Sequence, residues 1–373
     1  MKDIYVAAEN TTTALGFDTQ TLIENIKNGV SGLQLIDNIS LSKEVLPLAL
    51  VDFESLDSKI NNSYLYTRFE KLLIHSIAHA LNGSDIDISS PDTLLVITTT
   101  KGNIELLHTP QKEKFGNERI LLHKAAHVVA DYFHTVNKPL VISNACISGI
   151  LGIVYAQRLL QQGVYKNVVV SGADVISKFV ISGFQSFKSL SHTPCKPFDS
   201  ERVGLSLGEG AGTMVLSTNK TSERNIRVVR GASANDANHI SGPSRTAEGL
   251  FLAISRVLGN ESVDYISAHG TATPYNDDME SVAINRAGLA AVPVNSFKAY
   301  LGHTLGAAGI IEAIIGIESM KRNELFKSLG SENIGVVEPI NVIKENKTHS
   351  IEKFLKIGSG FGGCNAAVLF QKG

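Results

Sequence analysis

One stretch constrains the fold of this chain more than any other: Val141 to Gly152, which reads Val-Ile-Ser-Asn-Ala-Cys-Ile-Ser-Gly-Ile-Leu-Gly. Pro139 to Ser143 is a short apolar run that stops at Asn144, and Ile150, Leu151, Val154, Leu159 and Leu160 then recur at helical spacing as far as Gly163. A buried strand therefore delivers Cys146 to the start of a helix. Unpaired backbone N–H groups and the positive end of the helix dipole there favour thiolate over thiol, and the same N–H groups can hold a developing oxyanion. Taken alone, a free cysteine is more often a small buried hydrophobe, so the reading of Cys146 as a nucleophile depends on what else the chain supplies.

The chain has room for a large site. Its 373 residues suffice for two domains or one large duplicated one with a sizeable core. Its 3 cysteines, Cys146, Cys195 and Cys364, are too few and odd in number for a disulfide framework, which points to a reducing compartment. A net charge of -2 from 34 basic and 36 acidic residues exerts no global pull on nucleic acid or anionic lipid. The N-terminal apolar stretch is too short for a signal peptide and no run reaches membrane-spanning length, so a soluble, cytoplasmic protein is expected.

Strands and helices alternate along the sequence. Ile4 to Ala8 reads as a strand followed by a Thr-rich turn and a helix from about Thr19 to Lys27; residues 61 to 82 carry a helix whose other face is basic through Arg68 and Lys71. Leu94 to Thr99, Pro139 to Ser143 and Val168 to Ser171 are apolar strands, with a helix from Glu118 to Phe133 among them, and this alternation predicts a sheet covered by helices. Residues 217–225 are polar and rich in breakers, and divide the chain into halves at 1–217 and 226–373. In the second half Ile226 to Arg230, Tyr265 to Ala268 and Val292 to Ser296 are strands, His303 opens a helix running to about Met320, and residues 356–370 close as a hairpin. The halves rhyme: each reads as strand, reactive residue, small residues, then apolar helix. Such a duplication aims helix N-termini from both halves at one cleft, a good place for an anion or thioester.

Two segments concentrate chemistry in the second half: His269-Gly-Thr-Ala-Thr-Pro-Tyr-Asn-Asp277 and Lys298-Ala-Tyr-Leu-Gly-His303-Thr-Leu-Gly-Ala-Ala-Gly309. With these the chain resembles the beta-ketoacyl-ACP synthases, the condensing enzymes of the elongating Cys-His-His type called ketosynthase I and II. Ser182 to Ser191, Lys196 to Arg202, Leu207 to Gly212 and Gly358 to Asn365 extend the likeness nearly end to end. The resemblance implies a duplicated five-layer α/β thiolase-like fold, active as a homodimer or paired with a related ketosynthase-like chain, and an acyl carrier protein as partner. It places Cys146 at the acylated nucleophile, His269 and His303 at the two catalytic histidines, Lys298 at the active-site lysine, Glu312 at a following acid and Phe361 at a gating phenylalanine.

The implied reaction is 3-oxoacyl-[acyl-carrier-protein] synthesis in fatty-acid or polyene-type lipid assembly. An acyl group moves to Cys146, malonyl thioester loses carbon dioxide, and the resulting enolate, held by two imidazole N–H groups, attacks the acyl-cysteine. The chemistry requires no metal or redox cofactor. A non-catalytic chain-length-factor-like partner is the alternative, disfavoured by Cys146 and both histidines. A degradative thiolase ranks lower because it uses a second cysteine where this chain has His303. Departures from the family pattern are Asn144-Ala-Cys-Ile-Ser148, where Ile147 replaces a hydroxyl residue and alters the expected pocket wall, Cys364 for a threonine, and Ser359 for an aromatic.

Other signals read as structural. Gly358, Gly360 and Gly363 have dinucleotide-motif spacing but no following helix. His75 with His79, and His123 with His127, stand four apart without the remaining ligands of a metal site. Asp199, Arg202, Glu209, Asp277 and Glu280 read as braces for irregular loops, and Arg68 with Lys71 reads equally as a docking patch for the acidic carrier or as a solvated face.

Overall fold

The computed structural model describes residues 2–220 and 226–373; Met1 and residues 221–225, within the polar stretch read as a junction, lie outside the described residues. The first set of strands is β1 (Tyr5–Thr13), β2 (Thr93–Thr98), β3 (Leu140–Ile142), β4 (Asn167–Asp174) and β5 (Gly210–Ser217). They lie side by side in the order β3-β2-β4-β5-β1, with β2 parallel to β3 and β4, and β5 antiparallel to β4 and β1. The second set is β6 (Ile226–Asn235), β7 (Tyr265–Ser267), β8 (Pro293–Asn295), β9 (Lys353–Gly360) and β10 (Cys364–Lys372), in the order β8-β7-β9-β10-β6 with a short edge strand at Asn341–Val342. Both sets run third, second, fourth, fifth, first, and they join where Tyr5 pairs with Arg227.

Helices fill the layers between and outside the strands. Ahead of the central pair come α1 (Thr19–Lys27), α2 (Arg68–Leu81) and α3 (Leu122–Tyr132). α2 packs on β1, β4 and β5, and its start is fixed by a capping box in which Thr67 and Glu70 satisfy each other's backbone N–H groups. Next come α4 (Ser148–Gln161) and α5 (Lys178–Ser186), then α6 (Glu248–Leu258), α7 (Pro274–Arg286) and α8 (Ala308–Arg322). α6 covers β6 and β10, and α7 packs on α6. α8 is buried from Ala308 to Met320, and α4 is buried except at positions such as Tyr155 and Arg158; the two lie against each other between the two strand sets. Gly149 and Gly309 permit that contact: a Cβ on Gly309 would stand 2.7 Å from the Ile150 backbone nitrogen. The result is the five-layer αβαβα arrangement expected of a thiolase-like chain. No helix among the described residues is long and apolar enough to cross a membrane.

Several expectations change. The Thr-rich segment is no turn: β1 continues to Thr13, where Thr11, Thr12 and Thr13 are buried and paired with Gly212, Ala211 and Gly210. Threonine suits a strand whose side chains reach buried polar partners, and Thr12 Oγ1 lies 2.9 Å from His75 Nδ1. The basic face of α2 is not free. Arg68 turns inward, its NH2 2.7 Å from Glu209 and its NH1 3.0 Å from Glu105, while Lys71 pairs with Asp57 at 2.6 Å. His75 is consumed by Thr12, and burial pushes it down to about 4. The final long helix begins at Ala308 instead of His303, because a single 3-10 turn at Leu305–Ala307 intervenes.

One close approach holds the His303 turn in place. His303 N donates to Ser206 O at 2.7 Å and Gly208 N donates to His303 O at 3.1 Å, so the strand segment Leu207–Gly208 runs directly against the turn. A Cβ on Gly208 would lie 1.9 Å from Leu301 O. Gly208→Ala is therefore expected to cost about 1–3 kcal/mol or more, seen as a lower urea midpoint at unchanged slope. Gly183→Ala, in helix α5 with open space where the methyl would go, should leave the midpoint unchanged or raise it slightly. Equal midpoints for the two variants would contradict this packing.

Candidate active site

Strand β3 ends at Ile142 and helix α4 starts at Ser148, and the turn between them carries Cys146. Ala145 takes a left-handed backbone conformation at φ 44°, which turns the chain sharply enough to present the next residue. The Ser148 hydroxyl holds the turn shut, accepting from Asn144 N at 2.8 Å and donating to Ala145 O at 2.7 Å. Ile147 does not form the pocket wall; it is buried in the core with Ile150 and Cys364. Cys146 is buried, and burial pushes its thiol up to about 11 although Lys101, Lys298 and the Phe361 N–H pull the other way. Burial thus opposes the thiolate that a helix start favours, because the charged form loses its hydration.

Facing the sulfur are two imidazoles. The ligand-capable atoms of Cys146, His269 and His303 all lie within 4.8 Å of one another, and the two rings meet edge to face with centroids 5.0 Å apart. His269 follows strand β7, where its own N–H and that of Gly270 donate to Glu280 at 2.7 and 2.6 Å. Asp277 accepts from Thr271 N, Ala272 N and Phe198 N, so both acids brace the loop as their sequence context indicated. Burial raises the Asp277 carboxyl to about 6 and that of Glu280 to about 7. Leu305 N donates to His303 Nδ1 at 3.3 Å. An amide only donates, so in the neutral ring the proton sits on Nε2, which is buried without a protein partner. Burial first, then the charge of Lys298, holds both histidines well below their ordinary value, hence neutral. Thiol and imidazole are also zinc-type donors, but a metal on His303 Nε2 would have to displace that proton.

Lys298 does not reach the cleft. Its Nζ donates to His269 O at 3.0 Å and to Glu312, and Lys356 Nζ lies 2.7 Å from the other Glu312 oxygen. Lys356 also donates to Ala268 O at 2.9 Å. Two buried ammonium groups thus share one carboxylate behind the strand end that carries His269, and Lys298 acts through that backbone.

Phe361 stands at the junction of two cavities. A cleft of about 1040 Å³ is lined by Cys146, His269, His303, Thr271, Thr273 and Phe361, among others. A smaller cavity of about 290 Å³ lies beyond, and Cys146, Phe184, Phe187 and Phe361 line both. The Phe361 ring rests on Phe184 and Phe187 at 5.5 and 5.1 Å, and the Phe361 N–H is directed at the Cys146 sulfur. Gly360 makes this possible, since a Cβ there would stand 3.0 Å from Cys146 N.

Sequence reasoning missed Asp174. It ends β4, is buried, and accepts from Thr99 Oγ1, Thr100 N, Thr100 Oγ1 and, at 2.7 Å, Gly306 N. The only signal was an acid closing an apolar strand. Lys356 was likewise unmarked, sitting mid-strand in an apolar run.

Comparison with known proteins gives a consistent result. Residues 1–222 match the family model described as beta-ketoacyl synthase, N-terminal domain, and residues 226–332 that of the C-terminal domain. A 3-oxoacyl-[acyl-carrier-protein] synthase 2 of Vibrio cholerae serotype O1 is 32% identical over 62% of each chain. A protein of the same name from Staphylococcus aureus strain COL is 27% identical over 100% of this chain and 98% of its own. Among solved structures, the ketosynthase ApeO in complex with its chain length factor ApeC from Xenorhabdus doucetiae superposes with a TM-score of 0.90 at 24% identity, covering 100% and 98% of the two chains. A beta-ketoacyl synthase from Burkholderia phymatum superposes at 0.88 and 23% over 100% of both.

The buried thiol has a pH signature. With a thiol at about 11, alkylation of Cys146 by iodoacetamide is expected to climb about tenfold per pH unit from pH 7 through pH 9.5 without levelling. Peptide mass spectrometry at each pH reads it directly. A plateau near pH 8.5 would mean that the helix end, and not burial, governs the sulfur.

Proposed function

The chain belongs to the beta-ketoacyl synthase family, and from that premise we propose that it is a 3-oxoacyl-[acyl-carrier-protein] synthase acting in fatty-acid or polyene-type lipid assembly. The observation that carries the reading is the meeting of one sulfur with two neutral imidazoles beside the cleft, one of whose N–H groups is buried without a partner. Residues 1–217 supply the sulfur and residues 226–373 the imidazoles.

In the first step the Cys146 sulfur attacks an acyl thioester. The tetrahedral oxyanion is held by the N–H groups of Cys146 and Phe361, the carrier thiol leaves, and the proton given up by Cys146 ends on that thiol. In the second, the carbon–carbon bond of a malonyl thioester breaks, carbon dioxide departs, and the electron pair is delocalised onto the thioester oxygen. Neutral His269 and His303 each donate their one ring N–H to that oxygen, and burial holds both in the neutral form. The enolate carbon then attacks the acyl-cysteine carbonyl, the same two backbone N–H groups hold the second oxyanion, and the expelled Cys146 thiolate takes up one proton from water, the proton consumed overall when the malonyl carboxylate leaves as carbon dioxide. Lys298 and Glu312 are positioning residues in this scheme, and Phe361 separates the cleft from the inner cavity. The partners are an acyl carrier protein and a second ketosynthase-fold chain, identical or related.

Intact-mass measurement after mixing with an acyl carrier thioester is the test. A covalent acyl adduct is expected on the wild-type chain and none on Cys146→Ala; no adduct on the wild type would favour a chain-length-factor-like role. His303→Ala should still acylate, while release of carbon dioxide from malonyl thioester falls by about 100-fold or more, the usual effect of losing one oxyanion donor. Undiminished release would remove His303 from its assigned role.

A further inference from the structure

The inner cavity behind Phe361 is apolar except where Thr100 and Lys101 line it. Phe179, Val180, Phe184, Phe187 and Leu305 line it with Ala145 and Cys146, and Lys101, beside Thr100, supplies the one charged group of its wall. The placement is built. Strand β2 ends at Thr98, and the turn that follows is clamped by Asp174, which accepts from Thr100 N at 2.9 Å and Lys101 N at 3.3 Å, while Gly102 N donates to Thr99 Oγ1 at 2.9 Å. The Lys101 backbone therefore cannot swing away from the cavity without breaking the clamp. Its Nζ donates to Thr100 Oγ1 at 2.8 Å, and that hydroxyl in turn donates to Asp174 at 3.0 Å. Among the described residues no carboxylate forms a direct ion pair with Lys101, unlike Lys298, Lys321, Lys353 and Lys356; the Asp174 charge reaches it only through the Thr100 hydroxyl.

An ammonium group set in such a wall discriminates between acyl groups. A saturated chain filling the cavity would displace water from the ammonium and return no acceptor, so part of the gain from burying its methylenes is lost to desolvation of the charge. A chain whose far end carries a carboxylate or carbonyl oxygen replaces that water with a charge-assisted hydrogen bond. We propose that Lys101 selects the acyl group loaded on Cys146, favouring one that carries an oxygen acceptor at its distal end over a plain alkyl chain of the same length. The proposal rests on Cys146 being the acylated nucleophile, and it specifies the substrate class of that site.

A competition experiment tests it. The full chain is mixed with equal amounts of octanedioyl and octanoyl thioesters of one acyl carrier protein, and the two adducts on Cys146 are counted by intact mass at early times. The octanedioyl adduct is expected to exceed the octanoyl adduct at least tenfold; Lys101→Met should bring the ratio to one or invert it, and Lys101→Arg should keep it. Taking a ratio cancels any general effect of the substitution on the sulfur. Preference for octanoyl in the wild type, or a ratio indifferent to Lys101→Met, overturns the role of Lys101 while leaving Cys146 as nucleophile. Absence of both adducts instead overturns the acyl-transfer reading, and this proposal with it.

Discussion

A single buried carboxylate fastens the two sides of the cleft to each other. Asp174, at the end of β4, accepts from the Thr99–Lys101 turn on one side and from Gly306 N on the other, 132 residues away in sequence. Each donor would otherwise be a buried N–H or O–H without a partner, at about 1–3 kcal/mol apiece, so the clip is costly to open. Burial raises the Asp174 carboxyl, and the charge of Lys101 together with this density of donors opposes the rise. Gly306 lies three residues beyond His303, and the Ala145–Cys146 turn packs against the same α8 start through Gly149. The position of His303 relative to the sulfur is thus set by backbone hydrogen bonds, which do not depend on the identities of the side chains in the cleft.

Burial then decides which groups carry charge. The same desolvation that raises Cys146 lowers His269 and His303, so the three reacting side chains are neutral at rest. The charge is kept one layer back, in Lys298, Lys356 and Glu312, two cations against one anion. Their surplus positive field acts on the histidines from behind the strand ends. It disfavours imidazolium and favours an enolate oxygen in front, so one arrangement serves both the resting state and the charge that develops.

Legibility in the sequence followed distance along the chain. The strand–cysteine–helix unit at Val141 to Gly163, the hairpin of β9 and β10, and the helix at Thr19–Lys27 are local patterns, and each could be read from spacing alone. Boundaries failed where a buried polar partner overrode local propensity: Thr11 to Thr13 read as a turn but are paired with Gly212, Ala211 and Gly210 of β5, some two hundred residues on. Arg68 read as a surface cation because nothing nearby foretold Glu105 and Glu209 beneath it. The resemblance located Lys298 and Glu312, but it did not indicate that a third member, Lys356, completes their cluster from β9. Asp174 had no motif at all, since its partners are backbone amides and two threonine hydroxyls, which no residue pattern marks.

Strand position accounts for why these residues, and not others, line the cleft. In each set the second and third strands are parallel neighbours, so their carboxyl ends open on the same side, where ligands bind in open α/β sheets. Cys146 follows the third strand of the first set; Lys298 and His303 follow the third strand of the second. His269 follows the second strand of the second set, and the turn in the corresponding place in the first, after β2, is the one bearing Lys101. Four equivalent turns therefore gather at one end of the strands, around the cleft and the cavity beside it. Three of them carry the sulfur and the imidazoles, and the fourth, directed into the inner cavity instead of the cleft, carries the cation that the other three leave unused.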